Sequence, residues 1–155
     1  KTPFLVMLDG LTDVRNFGAI LRTCECAGAD GVIIPGKNFA RVSEDVAKTS
    51  AGALYRIPIC RSQNMEKAVG YLKNSGVQTV GVSEKSQQPY YQLDFIPPTT
   101  LVMGAEDKGI SPGLLKELDY HARIPLLGEI KSLNVSVAAG IMAYEVVRQR
   151  MAKEI

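Results

Sequence analysis

Apolar residues fall into six short runs bounded by turn residues: Phe4 to Leu8, Gly31 to Ile34, Ile57 to Cys60, Thr79 to Val82, Leu101 to Met103 and Ala122 to Pro125. Runs this short and this apolar read as buried strands. Between them the apolar spacing becomes helical over Asn16 to Ala27, Ser43 to Ser50, Asn64 to Asn74, Ser111 to Leu118, and Asn134 to about Lys153. The last helix is the clearest. Val135, Ala138, Ala139, Met142 and Val146 form one stripe, and Arg148, Arg150 and Lys153 sit where the helix dipole favours cations. Strand and helix alternate throughout, which predicts a single α/β domain with a mainly parallel sheet and helices on both faces. Gln87 to Pro98, with three prolines, is the one extended irregular segment.

Ligands of open α/β sheets bind beyond the carboxyl ends of the strands, so the polar residues that follow strands are the candidates for function. Three clusters qualify. The first runs from Asp9 to Thr23 and contains Asn16 and Arg22. Six residues apart, these two would lie about 240° apart on one helix; they converge only if Asn16 stays in the loop as a cap. The second runs from Thr99 to Pro112. There Gly104 permits close backbone approach, Gly109 a left-handed turn, and Ser111-Pro112 a helix start. The third is Lys131 to Ala139, where Ser132, Asn134 and Ser136 interrupt an apolar stretch. Such side chains are costly to bury without partners, and either a ligand or the capping of the last helix would supply them.

Bulk properties narrow the field. At 155 residues the chain can bury a core without staples. Three cysteines and one histidine, at these spacings, indicate neither a disulfide framework nor a metal site. No apolar run reaches membrane-spanning length and no secretory signal opens the chain, so the expected compartment is the cytoplasm. Net charge is only +2, but Lys37 to Arg61 carries five basic residues against two acids, which suits one face meeting phosphate. The chain opens at Lys1 on a near-immediate strand, which suggests an excised catalytic domain. Dinucleotide, P-loop and nucleophile-elbow motifs are absent.

Together, N-x-G-A-I-x-R-T at Asn16 to Thr23, V-M-G-A-E-x-x-G at Val102 to Gly109, and I-P-x-x-G followed by S-L-N-V-S-V-A at Ser132 to Ala138 resemble the three motifs of the SpoU (TrmH-like) branch of the SPOUT methyltransferases. The resemblance spans essentially the whole chain. It looks closest to the large-subunit ribosomal RNA ribose methyltransferases of the RlmB type. It implies methyl transfer from S-adenosylmethionine to a ribose 2′-hydroxyl of RNA, ribosomal more than transfer RNA. It also implies a carboxyl-terminal deep trefoil knot, a homodimer with the first and last helices near the interface, and no metal. Many relatives carry an additional amino-terminal RNA-binding domain, which is expected to precede these residues.

Carried over by position, the resemblance implies cofactor contacts at Gly104, Ile124, Leu126 and Leu133, with Val82 and Ser83 bordering the pocket. Asn16, Arg22, Glu106, Ser132 and Asn134 match the polar active-site residues. Arg22 matches the arginine that activates the ribose hydroxyl. A guanidinium holds its proton at ordinary pH, so two roles stay open for it: base, or electrostatic stabiliser of the developing alkoxide. Two departures concern loop geometry: Asp13-Val14-Arg15-Asn16 lacks the proline common before the motif asparagine, and Asp107 stands where glycine commonly follows the glutamate.

Overall fold

The computed structural model describes residues 1–155. Six strands, β1 (Phe4–Leu8), β2 (Gly31–Pro35), β3 (Ile59–Ser62), β4 (Gln78–Val82), β5 (Thr99–Met103) and β6 (Tyr120–Ala122), form one sheet in the order β3-β2-β1-β5-β4-β6. Every neighbouring pair is parallel, so all six carboxyl ends lie on one edge. The helices are α1 (Val14–Cys26), α2 (Glu44–Thr49), α3 (Met65–Asn74), α4 (Pro112–Glu117) and α5 (Val135–Lys153).

Alternation along the central strands divides the core into two layers. Val6, Leu8, Leu101 and Met103 face a cluster with Phe17, Ile20 and Leu21 of α1 and Ala139, Met142, Ala143 and Val146 of α5. Met7 and Val102 face the opposite way, toward Val69 and Leu72 of α3 and Leu114 of α4. The strands are apolar on both faces because helices cover both. Gly18 allows α2 to lie against α1: a Cβ there would collide with Thr49.

Three strands differ from the sequence expectation by two residues or more at an end; β5 begins at Thr99 rather than Leu101. β3 begins at Ile59 rather than Ile57, because the Ile57 N–H is given to the Ala53 carbonyl of a 3-10 turn, Ala53–Tyr55. β6 occupies Tyr120–Ala122 rather than Ala122 to Pro125. Its ladder with β4 ends at Val82–Ala122, and Pro125 has no N–H to extend one. The start of β6 is exposed at the sheet edge, so hydrophobicity did not announce it. Within the irregular 87–98 stretch the chain makes a 3-10 turn at Tyr90–Gln92.

The carboxyl-terminal half of α5 is fastened by polar groups. Arg150 donates to four carbonyls, those of Thr2, Pro3, Phe95 and Pro97, at 2.9–3.1 Å, and its guanidinium lies 5.8 Å from the Phe4 ring centre. One planar fork thereby joins the chain start, the segment before β5 and the last helix. One turn earlier the buried Glu145 carboxylate accepts from Arg148 and Gln149, and Gln149 in turn bonds the Phe95 N–H and the Leu93 carbonyl. The Arg148 hydrogen bond holds the Glu145 carboxyl below its usual value of 4.5, against the opposing effect of burial.

Replacing Arg150 with Ala strands these carbonyls and is expected to cost about 2–4 kcal/mol, a fall of about 5–15 °C in Tm by calorimetry. Arg150→Lys recovers only part of this, because an ammonium lacks the planar fork. Glu145 stabilises the fold above its unfolded-state pKa and loses that contribution as pH falls through its lowered folded value. Urea midpoints should therefore separate wild type from Glu145→Gln at pH 7 and draw together progressively as pH is lowered through the acid range.

Candidate active site

Three loops leave the carboxyl edge of the sheet, after the neighbouring strands β1 and β5 and after β6, which lies one strand beyond β5 across β4. Side-chain hydrogen bonds lock them together. Asp13 caps α1, accepting from the Arg15 and Asn16 N–H groups at 2.8 and 3.3 Å. This cap supplies the rigidity that the missing proline would have given. The Asp13 N–H donates to Glu106 in the loop after β5 at 3.1 Å, and Asp9 accepts from the Ser111 N–H at 2.8 Å. Asn134 caps α5: its Oδ1 accepts from the N–H groups of Ser136 and Val137 and from the Ser136 hydroxyl. Its amide nitrogen donates to Asn16 Oδ1 at 3.1 Å. Residues separated by 118 positions thus form one polar cluster. Asn134 is the cap of α5, one of the two roles the sequence posed for it, and its amide nitrogen remains available to bond Asn16.

The loop after β5 is a closed turn. Ala105 and Gly109 exchange two backbone hydrogen bonds of 3.0 Å, and Gly109 takes φ 68°. Glycine is required at Gly104 because the backbone of Gly109 and Ile110 folds over it; a Cβ would overlap both. The close approach anticipated there is made by the loop's own backbone. Ser111 precedes α4 without a side-chain cap bond, its N–H being used by Asp9. Glu106 and Asp107 stay exposed at the tip.

Beside this cluster lies a cavity of about 420 Å³ lined by residues of all the expected contact positions: Val82, Ser83, Gly104, Ile124, Leu126 and Leu133, with Glu106 and Ser132. Its size suits a small-molecule ligand. The floor adds Met103, Ile110, Leu115, Val135 and Ala138, and two cations, Lys85 and Lys108, border it. Sequence reasoning missed these, the apolar ones because they read as ordinary core and the lysines because they read as solvated surface. Residues 124–133 make no backbone hydrogen bond within the protein. Ile124 and Leu126 are half-buried, and partly shielded main-chain groups left free beside a cavity are what a planar polar ligand can satisfy.

Three expectations require correction. Asn16 is a first-turn helical residue and not the loop cap, which is Asp13. Arg22 therefore diverges from Asn16 along the same helix; it is exposed, makes no hydrogen bond and does not line the cavity of its own chain. Ser132 and Asn134 are exposed rather than buried; Ser132 lines the cavity, whereas Asn134 and its partner Asn16 lie outside its lining. No group of His, Cys, Asp and Glu stands close enough to hold a metal ion.

A wholly parallel α/β sheet with a ligand-sized cavity at its carboxyl edge, bordered by a glycine-turned acidic loop, defines a class of α/β domains built to hold a small molecule there. The model of the SpoU rRNA Methylase family matches residues 3–144, and the chain belongs to that family. It is 41% identical over 152 residues to the 23S rRNA (guanosine-2′-O-)-methyltransferase RlmB of Pseudomonas aeruginosa, covering 98% of this chain and 61% of that protein. A TrmH family tRNA/rRNA methyltransferase from Staphylococcus saprophyticus is 39% identical over 150 residues, covering 97% and 60%. Among solved structures, the SpoU methyltransferase AviRb from Streptomyces viridochromogenes in complex with AdoMet superposes with a TM-score of 0.91 at 30% identity, covering 98% and 62%. The A. aeolicus TrmH/SpoU tRNA modifying enzyme gives 0.90 at 32%, covering 99% and 78%. The chain spans about three fifths of the length of the curated relatives it matches.

Gly104→Ala is expected to lower stability by about 2–4 kcal/mol, at or above the usual cost of overpacking because backbone must move. Gly109→Ala should cost about 1–2 kcal/mol for its left-handed conformation, and Gly128→Ala, which meets open space, close to nothing. Urea unfolding of the three variants checks the order.

Proposed function

We propose that residues 1–155 form the catalytic domain of an S-adenosylmethionine-dependent methyltransferase that modifies a ribose 2′-hydroxyl of RNA, ribosomal rather than transfer RNA, in the cytoplasm. The observation that carries this is the cavity lined by Glu106 and by Ile124, Leu126, Ser132 and Leu133, from a stretch whose backbone makes no internal hydrogen bond, with the Asn16–Asn134 pair next to the lining residues Leu133 and Val135. The named activities of the Pseudomonas relative and the AdoMet complex of AviRb support the substrate and the cofactor. No helix is long and apolar enough to cross a membrane.

The residues present fit the cofactor. Free main-chain groups at Ile124, Leu126 and Leu133 suit the edges of an adenine, apolar side chains its faces, and the Glu106 and Asp107 carboxylates complement a sulfonium cation. The carboxyl-terminal path from β6 through 124–133 into α5 is the segment we assign to the knot. When bound, S-adenosylmethionine supplies an activated methyl group on positively charged sulfur. The protein's task is then chiefly positioning. The Asn16–Asn134 pair presents amide donors and acceptors to the ribose, and Ser132 adds a hydroxyl at the same mouth. Glu106 holds the first loop through the Asp13 N–H and keeps a second carboxylate oxygen free.

Arg22 enters through a second copy of the chain. α5 shows apolar residues on its outer side as well as its inner one: Val137, Tyr144 and Met151, spaced seven apart, are 50%, 50% and 61% exposed. Residues seven apart lie close to one line on a helix. α1 packs beside this face, with Thr23 against Gly140, so the adjacent Arg22 borders the stripe. We assign the stripe to a homodimer in which Arg22 of one protomer serves the cavity of its partner as electrostatic stabiliser of the ribose oxygen.

Mapping ribose methylation in ribosomal and transfer RNA from cells with and without the gene tests the substrate; methylation lost from transfer RNA alone would overturn that part. Arg22→Ala is expected to slow transfer about 100-fold or more without weakening S-adenosylmethionine binding by calorimetry. Mixing Arg22→Ala with Asn16→Ala protein should restore activity, since each mixed dimer contains one complete site. A mixture as inactive as its components would refute the shared site.

A further inference from the structure

The segment between β2 and α2, residues 36–43, leaves the same sheet edge as the catalytic loops, because β1 and β2 are parallel neighbours. Two contacts fix it there. The Ala40 N–H donates to the Leu11 carbonyl at 2.7 Å, in the loop that ends at the Asp13 cap. The Phe39 ring meets Phe17 edge-on, with centres 5.0 Å apart and planes at 88°. Phe17 is fully buried and follows Asn16 directly. Ala40 is buried too, whereas Lys37 and Arg41 on either side of this anchor are exposed. Neither cation forms an ion pair or a hydrogen bond; the three ion pairs of the chain use Lys1, Lys73 and Arg148. The nearest acids in sequence, Glu44 and Asp45, occupy the first turn of α2, where the helix dipole favours them.

We propose that Lys37 and Arg41 form a phosphate clamp for the substrate RNA, gripping the backbone beside the target ribose while Asn16 and Asn134 receive the ribose itself. Long flexible cations are ordinarily poor positioning devices; here a buried aromatic anchor and a backbone hydrogen bond mount both on the loop next to the site. Phosphate is the matching chemistry, since an unpaired guanidinium and an ammonium at one polar edge attract a polyanion and read no base. The clamp rests on the RNA reading above and specifies where the strand runs: from the α1 amino terminus across the 36–43 loop.

Anisotropy of a fluorescein-labelled single-stranded RNA 20-mer, titrated over a range of salt concentrations, tests it. Each lost phosphate contact should make the slope of log affinity against log salt shallower by about 0.7, so Lys37→Gln/Arg41→Gln should lose about 1.4. Binding should be weakened at low salt and should converge with wild type as salt rises, with S-adenosylmethionine affinity unchanged. A control pair, Lys67→Gln/Lys116→Gln on the α3–α4 side, should keep the wild-type slope. An unchanged slope in the Lys37/Arg41 variant, an equal loss in the control, or weakened S-adenosylmethionine binding would overturn the clamp while leaving the RNA reading intact. Wild-type protein that binds no RNA in this assay would instead overturn the reading on which the clamp rests.

Discussion

The Asn134 side chain ties the start of the last helix to the start of the first. Its Oδ1 satisfies the amino terminus of the longest helix, and its amide nitrogen reaches Asn16 at 3.1 Å, near the start of the first. One amide therefore sets both the start of α5 and the place where α5 meets α1. The loops after β1 and β5 join the same assembly through Asp13, Glu106, Asp9 and Ser111. Because all six strands run parallel, these loops are already on one edge; hydrogen bonds between them have only to choose among nearby arrangements.

Rigidity and openness are divided sharply along the chain. The sheet and helices bury continuous apolar layers on both faces, and Arg150 and Glu145 fasten the far end of α5 with charged hydrogen bonds. Residues 124–133, by contrast, spend none of their backbone hydrogen-bonding capacity within the protein. At Ile124, Leu126, Ser132 and Leu133 these free main-chain groups border the cavity, where recognition of a polar ligand has much to gain.

The outer surface extends this logic beyond one chain. Apolar residues at seven-residue spacing on α5 and an unpaired Arg22 on the adjoining helix are both unexplained by the monomer. Lys37 and Arg41, also unpaired, stand on a loop pinned by Phe39 against Phe17 of α1. A second protomer and a polyanionic strand would give each a partner, one through hydrophobic burial and one through counterion release.

Sequence patterning determined most of the architecture. Five of the six strands were placed within two residues, since continuous apolar runs between turn residues need two covered faces, and the start of α5 was legible from Asn134 as a cap. Part of the cavity lining, Val82, Ser83, Gly104, Glu106, Ile124, Leu126, Ser132 and Leu133, was anticipated through the motif resemblance, whereas its apolar floor and the two lysines were not. Tertiary structure alone decided the rest. β6 is an exposed edge strand, defined by its pairing with β4 and not by its own hydrophobicity. Asp13 caps α1 three residues before Asn16, so the helix begins earlier and the Asn16 side chain is left to accept from Asn134, a partner 118 positions away that no local pattern reveals. Whether Arg22 faces its own cavity depends on helix phase and on what covers α5. Local propensity determines which residues form a helix, but only packing against the rest of the chain determines which way that helix is turned.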